Sequence, residues 1–182
     1  EPTDRKDAAG APVAFMGNDD VTLYVSRRSE PMPFYYRNAD GDELYFVHRG
    51  AGTIETDFGP LMFEKGDYIN IPRAVTYRVG PETADNFFLI IESKAEFEQP
   101  EKGLIGQHAL YDPAVIETPE PAPLLDDNRE WEVRIKADNE YSSIVYPFNP
   151  MDVVGWKGDL TVWKLNMRDI RPVMSHRAHL PP

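Results

Sequence analysis

At 182 residues and 41% hydrophobic composition, the chain is long enough for one substantial core or two small ones and too apolar for a disordered tail. Its formal net charge of −12 leaves no basic surface to offset phosphate repulsion, which argues against a nucleic-acid partner. The absence of cysteine excludes disulfides, thiolate metal sites and a cysteine nucleophile and agrees with a cytoplasmic location, and no apolar run approaches membrane-spanning length.

Residues 1–12, rich in Ala, Pro and charge, read as a flexible N-terminal arm, with order expected from Val13. Val21 to Ser26 alternates as a first strand, and Pro31 and Pro33 hold the chain extended before Phe34, Tyr35 and Tyr36. From Asp40 to Arg78 short apolar runs alternate with tight turn signals: Leu44 to Val47, Thr53 to Thr56, Leu61 to Phe63 and Tyr68 to Ile71 are strands separated by Gly50 and Gly52, Asp57 to Pro60, and Glu64 to Asp67. Asn86 to Glu92 is a continuous apolar run, the pattern of a central strand buried on both faces. Residues 13–92 thus read as a small β-barrel. Residues 93–130 form a long connector with a turn of helix around Pro113 to Ile116.

Beyond the connector Trp131 to Lys136 alternates, with Trp131, Val133 and Ile135 facing the core and Glu132, Arg134 and Lys136 facing solvent. Tyr141 to Tyr146 continues the β character, and a hairpin at Lys157-Gly158-Asp159 leads into a strand at Leu160 to Leu165. No segment carries a convincing amphipathic helical period, so the fold class is all-β, a jelly-roll or β-sandwich with additional strands in residues 131–182. The ending at His176 to Pro182, with neither charged tail nor capped helix, and the missing initiator methionine both point to a truncated chain.

The chemistry-bearing residues are sparse. Of the four histidines, His48 stands at a strand end and His108 in the connector, while His176 and His179 are three apart in a segment that Pro181 and Pro182 keep from being helical. In extended backbone that pair points to opposite faces and does not share a metal. Asp40, Asp42 and Glu43 beside Gly41 read as a solvated turn. The aromatics Tyr35, Tyr36, Trp156 and Trp163 are candidates to line a pocket, although most are expected in the core or rim. There is no phosphate-binding Gly loop, no Gly-x-Ser-x-Gly and no His-Glu-x-x-His.

The run from Tyr36 through Glu43 to Gly50, followed by Gly66-Asp67 and Pro72, resembles the two motifs of the cupin superfamily. Those motifs imply histidines and a glutamate pointing into a barrel, yet aligned on Glu43 and Pro72 the histidine positions are held by Tyr36, Asn38 and Tyr77, and the glycine position by Ala74. Glu43 alone will not hold a catalytic metal, so this barrel is expected to be metal-free, with a small metal-dependent cupin using His48 and Glu43 as a minor alternative. The resemblance narrows to the homogentisate 1,2-dioxygenase family, carried by RNADGDELYFVHRGAGTIETDFG from Arg37, GDYINIPR from Gly66, YPFNPMDVVGWKGDLTVWKLNMRDI from Tyr146, and HRAHLPP from His176.

That resemblance implies the N-terminal portion of an Fe(II) ring-cleaving dioxygenase that converts homogentisate and O2 to maleylacetoacetate in tyrosine and phenylalanine degradation. It places the iron, held by two histidines and a glutamate, in a C-terminal cupin half outside this chain, and implies a trimer-based homo-oligomer and an inactive isolated fragment. One functional residue is implied here, His179, as acceptor of the substrate phenol proton, with His176 an alternative under a small shift of alignment. The rival reading is a stand-alone, non-catalytic cupin-like module that holds an apolar or aromatic ligand.

Overall fold

A computed structural model describes residues 10–98, 109–123, 129–151 and 160–172. The first strands are β1 (Val13–Gly17), β2 (Val21–Ser26), β3 (Tyr35–Asn38), β4 (Asp42–Arg49), β5 (Gly52–Thr56), β6 (Gly59–Phe63), β7 (Asp67–Ile71), β8 (Thr76–Pro81) and β9 (Phe87–Ser93). They are followed by β10 (Ala109–Leu110), β11 (Trp131–Ala137), β12 (Glu140–Tyr146), β13 (Trp163–Asn166) and β14 (Arg171–Pro172). Two single 3-10 turns, Pro113–Val115 and Met167–Asp169, are the helical elements among the described residues. The first falls at the expected helical turn, where Asp112 accepts from the Ala114 amide.

Two six-stranded sheets form a sandwich, ordered β1-β2-β9-β4-β7-β13 and β12-β11-β3-β8-β5-β6, with β10 and β14 as a separate pair. The all-β expectation therefore holds. The core between the sheets is built from alternate residues, among them Tyr45 and Val47 of β4, Ile54 of β5, Ile69 and Ile71 of β7, Tyr77 and Val79 of β8, and Phe88 and Ile90 of β9. The expected strands of the Asp40 to Arg78 stretch are all present, and their turns explain why. Gly50 has φ +105, and a Cβ there would lie 2.0 Å from Asn86 Oδ1, so the turn between β4 and β5 needs glycine.

Strands beyond the connector join both sheets. β11 lies parallel to β3 with Val133 opposite Tyr35, and β13 lies antiparallel to β7 with Leu165 opposite Tyr68. β9 is central as expected, flanked by β2 and β4, but only Phe88 and Ile90 are fully buried, while Phe87, Leu89 and Ile91 are half-buried on the other face. The hairpin expected at Lys157-Gly158-Asp159 lies outside the described residues.

Two expectations are corrected at the residue level. Asp42 and Glu43 are not a solvated turn: they open β4 and are 4% and 6% exposed. Asp42 is buried because its carboxylate accepts from the amides of Arg73 and Phe97, and Glu43 because its register turns it into the barrel. Lys136 does not face solvent either. It is 3% exposed, since an interior carboxylate on β9 draws its ammonium inward.

Candidate site in the barrel interior

The interior positions that the motif resemblance aligned with metal ligands are occupied by acids and phenols. In the β4–β9 ladder Glu43 stands directly opposite Glu92, which places two carboxylates side by side on the inward face. Lys136, reaching in from β11, resolves the repulsion by binding both oxygens of Glu92 at 2.6 Å. Its ammonium also lies 3.3 Å from the Tyr24 hydroxyl, which donates to Glu92 at 3.1 Å. Burial works against the Lys136 charge, but the Glu92 carboxylate outweighs it and holds the ammonium above its ordinary range.

Glu43 keeps a different company. Tyr77, from β8, donates its hydroxyl proton to Glu43 Oε2 at 2.8 Å. That proton is then committed, so the 2.8 Å contact between the Tyr45 and Tyr77 hydroxyls has Tyr45 as donor, giving a relay from Tyr45 through Tyr77 to Glu43. Burial pushes the Glu43 carboxyl up to about 7, with the Glu92 charge adding to it and Tyr77, Asn38 and Lys136 pulling the other way. Burial likewise raises the hydroxyls of Tyr77 and Tyr36 well above the ordinary phenol range. Tyr36 packs edge-on against Tyr77, with ring centroids 5.6 Å apart.

Tyr36, Asn38 and Tyr77 therefore do converge on Glu43, as the alignment of motifs implied. Ala74, at the glycine position of the motif, has a left-handed φ of 65, so the turn forms with alanine there. The donor set does not fit iron(II): it offers one carboxyl near neutrality and phenols that burial keeps protonated, and no imidazole. Among the described residues no group of three or more His, Cys, Asp or Glu stands close enough to hold a metal ion.

The other candidates lie elsewhere. His48 is exposed at the end of β4, edge-on to Phe87 at 5.6 Å, far in sequence register from the inward-facing Glu43. Tyr35 points to the opposite face of its strand from Tyr36, packing on Trp131 with centroids 4.9 Å apart and donating to Glu55 at 3.2 Å. Burial pushes its hydroxyl up to about 12. Trp163 begins β13 and is half-buried. His108, Trp156, His176 and His179 lie outside the described residues. Sequence reasoning missed Glu92, Lys136 and Tyr45; an acid ending the apolar run NFFLIIE was the one available signal for the first of them.

Comparisons with known proteins cover most of the chain. A family model described as "Homogentisate 1,2-dioxygenase N-terminal" matches residues 9–167. A protein of Saccharolobus solfataricus with a provisional dioxygenase name is 30% identical, covering 93% of this chain and 45% of that protein. Homogentisate 1,2-dioxygenases of Nitrobacter hamburgensis and Bradyrhizobium diazoefficiens are 32% and 30% identical, each covering 83% of this chain and 34% of the relative. The chain thus spans between a third and just under half of the length of these relatives. Among solved structures, a cupin-2 domain protein from Shewanella frigidimarina has 19% identity and a TM-score of 0.41, covering 46% of this chain and 79% of that one. The family match takes in most of the described residues, including every strand from β1 to β13, and on it the chain belongs to the homogentisate 1,2-dioxygenase N-terminal family.

Proposed function

We propose that this chain serves as the N-terminal, structural and oligomer-forming part of a homogentisate 1,2-dioxygenase-like enzyme. The observation that carries the reading is the family match over residues 9–167, set beside a barrel interior whose acid-and-phenol donor set does not suit iron. The reaction proposed for the whole enzyme adds both atoms of O2 to homogentisate and opens the ring to maleylacetoacetate, with iron(II) held outside this chain. A trimer-based assembly in the cytoplasm, in the breakdown of tyrosine and phenylalanine, belongs to the same proposal.

The residue of this chain proposed to act on substrate is His179, whose imidazole accepts the phenol proton as the ring is bound; an unperturbed pKa of about 6.5 suits it to exchange that proton near neutral pH. The test is oxygen uptake and product formation by the product of the complete gene, given iron(II) with homogentisate, another dihydroxybenzoate-type acid or an aminophenol. Homogentisate is expected to be turned over fastest. His179→Asn is expected to lower kcat on the order of 100-fold while iron content stays unchanged. Preference for another ring, or an unaffected His179→Asn variant with a strongly impaired His176→Asn, would overturn the respective assignment.

A further inference from the structure

The barrel interior is hollow. A cavity of about 390 Å³ runs from Glu43, Tyr36 and Tyr77 past Phe88 and Val79 to a rim at Tyr141, which is 58% exposed. A dry cavity of about 150 Å³ suffices for benzene, so there is room here for a ring with substituents. We infer that this cavity binds a small, neutral, hydroxylated aromatic whose hydroxyl donates to Glu43.

The charges select the ligand class. Glu92 is neutralised by Lys136, and Glu132 by Arg134, whose Nε lies 2.7 Å from it. A cationic ligand meets the Lys136 ammonium already seated at the inner end, and a carboxylate ligand brings only acceptors to the Glu43 carboxyl, so a neutral molecule suits the inner end. That molecule must be a hydrogen-bond donor. Glu43 accepts from Tyr77 at 2.8 Å and has the Asn38 amide beside it, and a buried carboxyl has acceptor capacity beyond these two. The Tyr77 proton is committed to Glu43 and the Tyr45 proton to Tyr77, so the relay itself has no further donor to offer.

The walls select the shape. Tyr45 and Tyr77 meet at 84°, Tyr36 and Tyr77 at 89°, and Tyr45 and Phe88 at 70°, a run of edge-to-face contacts that one more ring can continue. Arg134, stacked 3.8 Å over Phe34, and the Arg28 guanidinium, donating to the Gly10 carbonyl at 2.6 Å, bound the far side.

This binding requires neither iron nor turnover, so its test is separate from that of the proposed reaction. The 182-residue chain is titrated with phenol and 4-methylphenol by calorimetry, with aromatic proton shifts of Tyr36, Tyr45 and Tyr77 followed by NMR; toluene, benzoate and tetramethylammonium serve as controls. Saturable one-to-one binding of the phenols is expected, with shifts at those tyrosines, toluene at least tenfold weaker, and neither ion competing. At pH 8, where Glu43 is ionised, Glu43→Gln is expected to weaken phenol about fivefold by replacing a charged acceptor with a neutral one. Absence of saturation, toluene binding as tightly as phenol, displacement of phenol by tetramethylammonium or benzoate, or a folded Glu43→Gln variant with unchanged affinity would each overturn the inference. Should that variant fail to fold, the phenol-to-toluene ratio on the unaltered chain decides.

Discussion

Two buried carboxylates side by side are the costliest arrangement in this chain, and each is managed by a different neighbour. Glu92 has Lys136, a pair with both side chains largely withdrawn from water. Removing one partner of such a pair strands the other, so Lys136→Met is expected to destabilise the fold by about 3 kcal/mol, while Lys136→Met/Glu92→Leu recovers most of the loss. Urea unfolding of both variants checks this, and an equally unstable double variant would assign the loss to packing. Glu43 has the Tyr77 phenol as donor, the Asn38 amide beside it and no ion-pair partner of its own among the described residues, and its carboxyl is raised from 4.5 to about 7. Between those values the folded chain holds a proton that the unfolded chain has released, so this residue's contribution to stability is complete below about 4.5 and declines as pH rises through about 7. The full decline is on the order of 3 kcal/mol. Glu43→Gln, which cannot ionise, is expected to gain on the unaltered chain by most of that amount, about 2.5 kcal/mol, between pH 5 and pH 8; parallel unfolding curves at the two pH values would contradict it.

At the scale of elements, the turn Glu64-Lys65-Gly66-Asp67 does more than reverse the chain. Asp67 at the start of β7 accepts from the Glu64 amide at 2.9 Å through one carboxylate oxygen, which Lys164 also approaches to 3.4 Å, and from Asn166 Nδ2 at 2.8 Å through the other. One buried carboxylate thus ties the β6–β7 turn to β13. Asp67→Ala leaves Lys164 and Asn166 without that acceptor, and is expected to cost about 3 kcal/mol and to speed amide exchange in Trp163–Asn166 before exchange in β4 or β9. Unaltered protection of β13 would show that the backbone ladder alone holds it. Legibility divides at the same scale. The strands from Asp40 to Arg78 were readable because turn residues and period-two apolar runs are local signals. The roles of Glu43, Glu92 and Lys136 were not, because they depend on register between β4 and β9 and on the parallel docking of β11 onto β3, pairings set by long-range packing. A lysine in WEVRIK reads as solvent-facing until a carboxylate on a distant strand is known to stand opposite.

At the scale of the whole molecule, the family membership and the barrel chemistry point the same way. The two-sheet sandwich and its tight turns are in place, while its interior sets Tyr36, Asn38 and Tyr77 around Glu43, with Glu92 paired to Lys136 beside it. No described helix is long and apolar enough to cross a membrane. The most direct test of the account is the partition of iron and turnover between this chain and the product of the complete gene. Each is loaded with iron(II), desalted, analysed for bound metal and supplied with homogentisate and O2. The account predicts stoichiometric iron and ring cleavage in the complete product and neither in the 182-residue chain. Stoichiometric iron with ring cleavage in the 182-residue chain alone would contradict it.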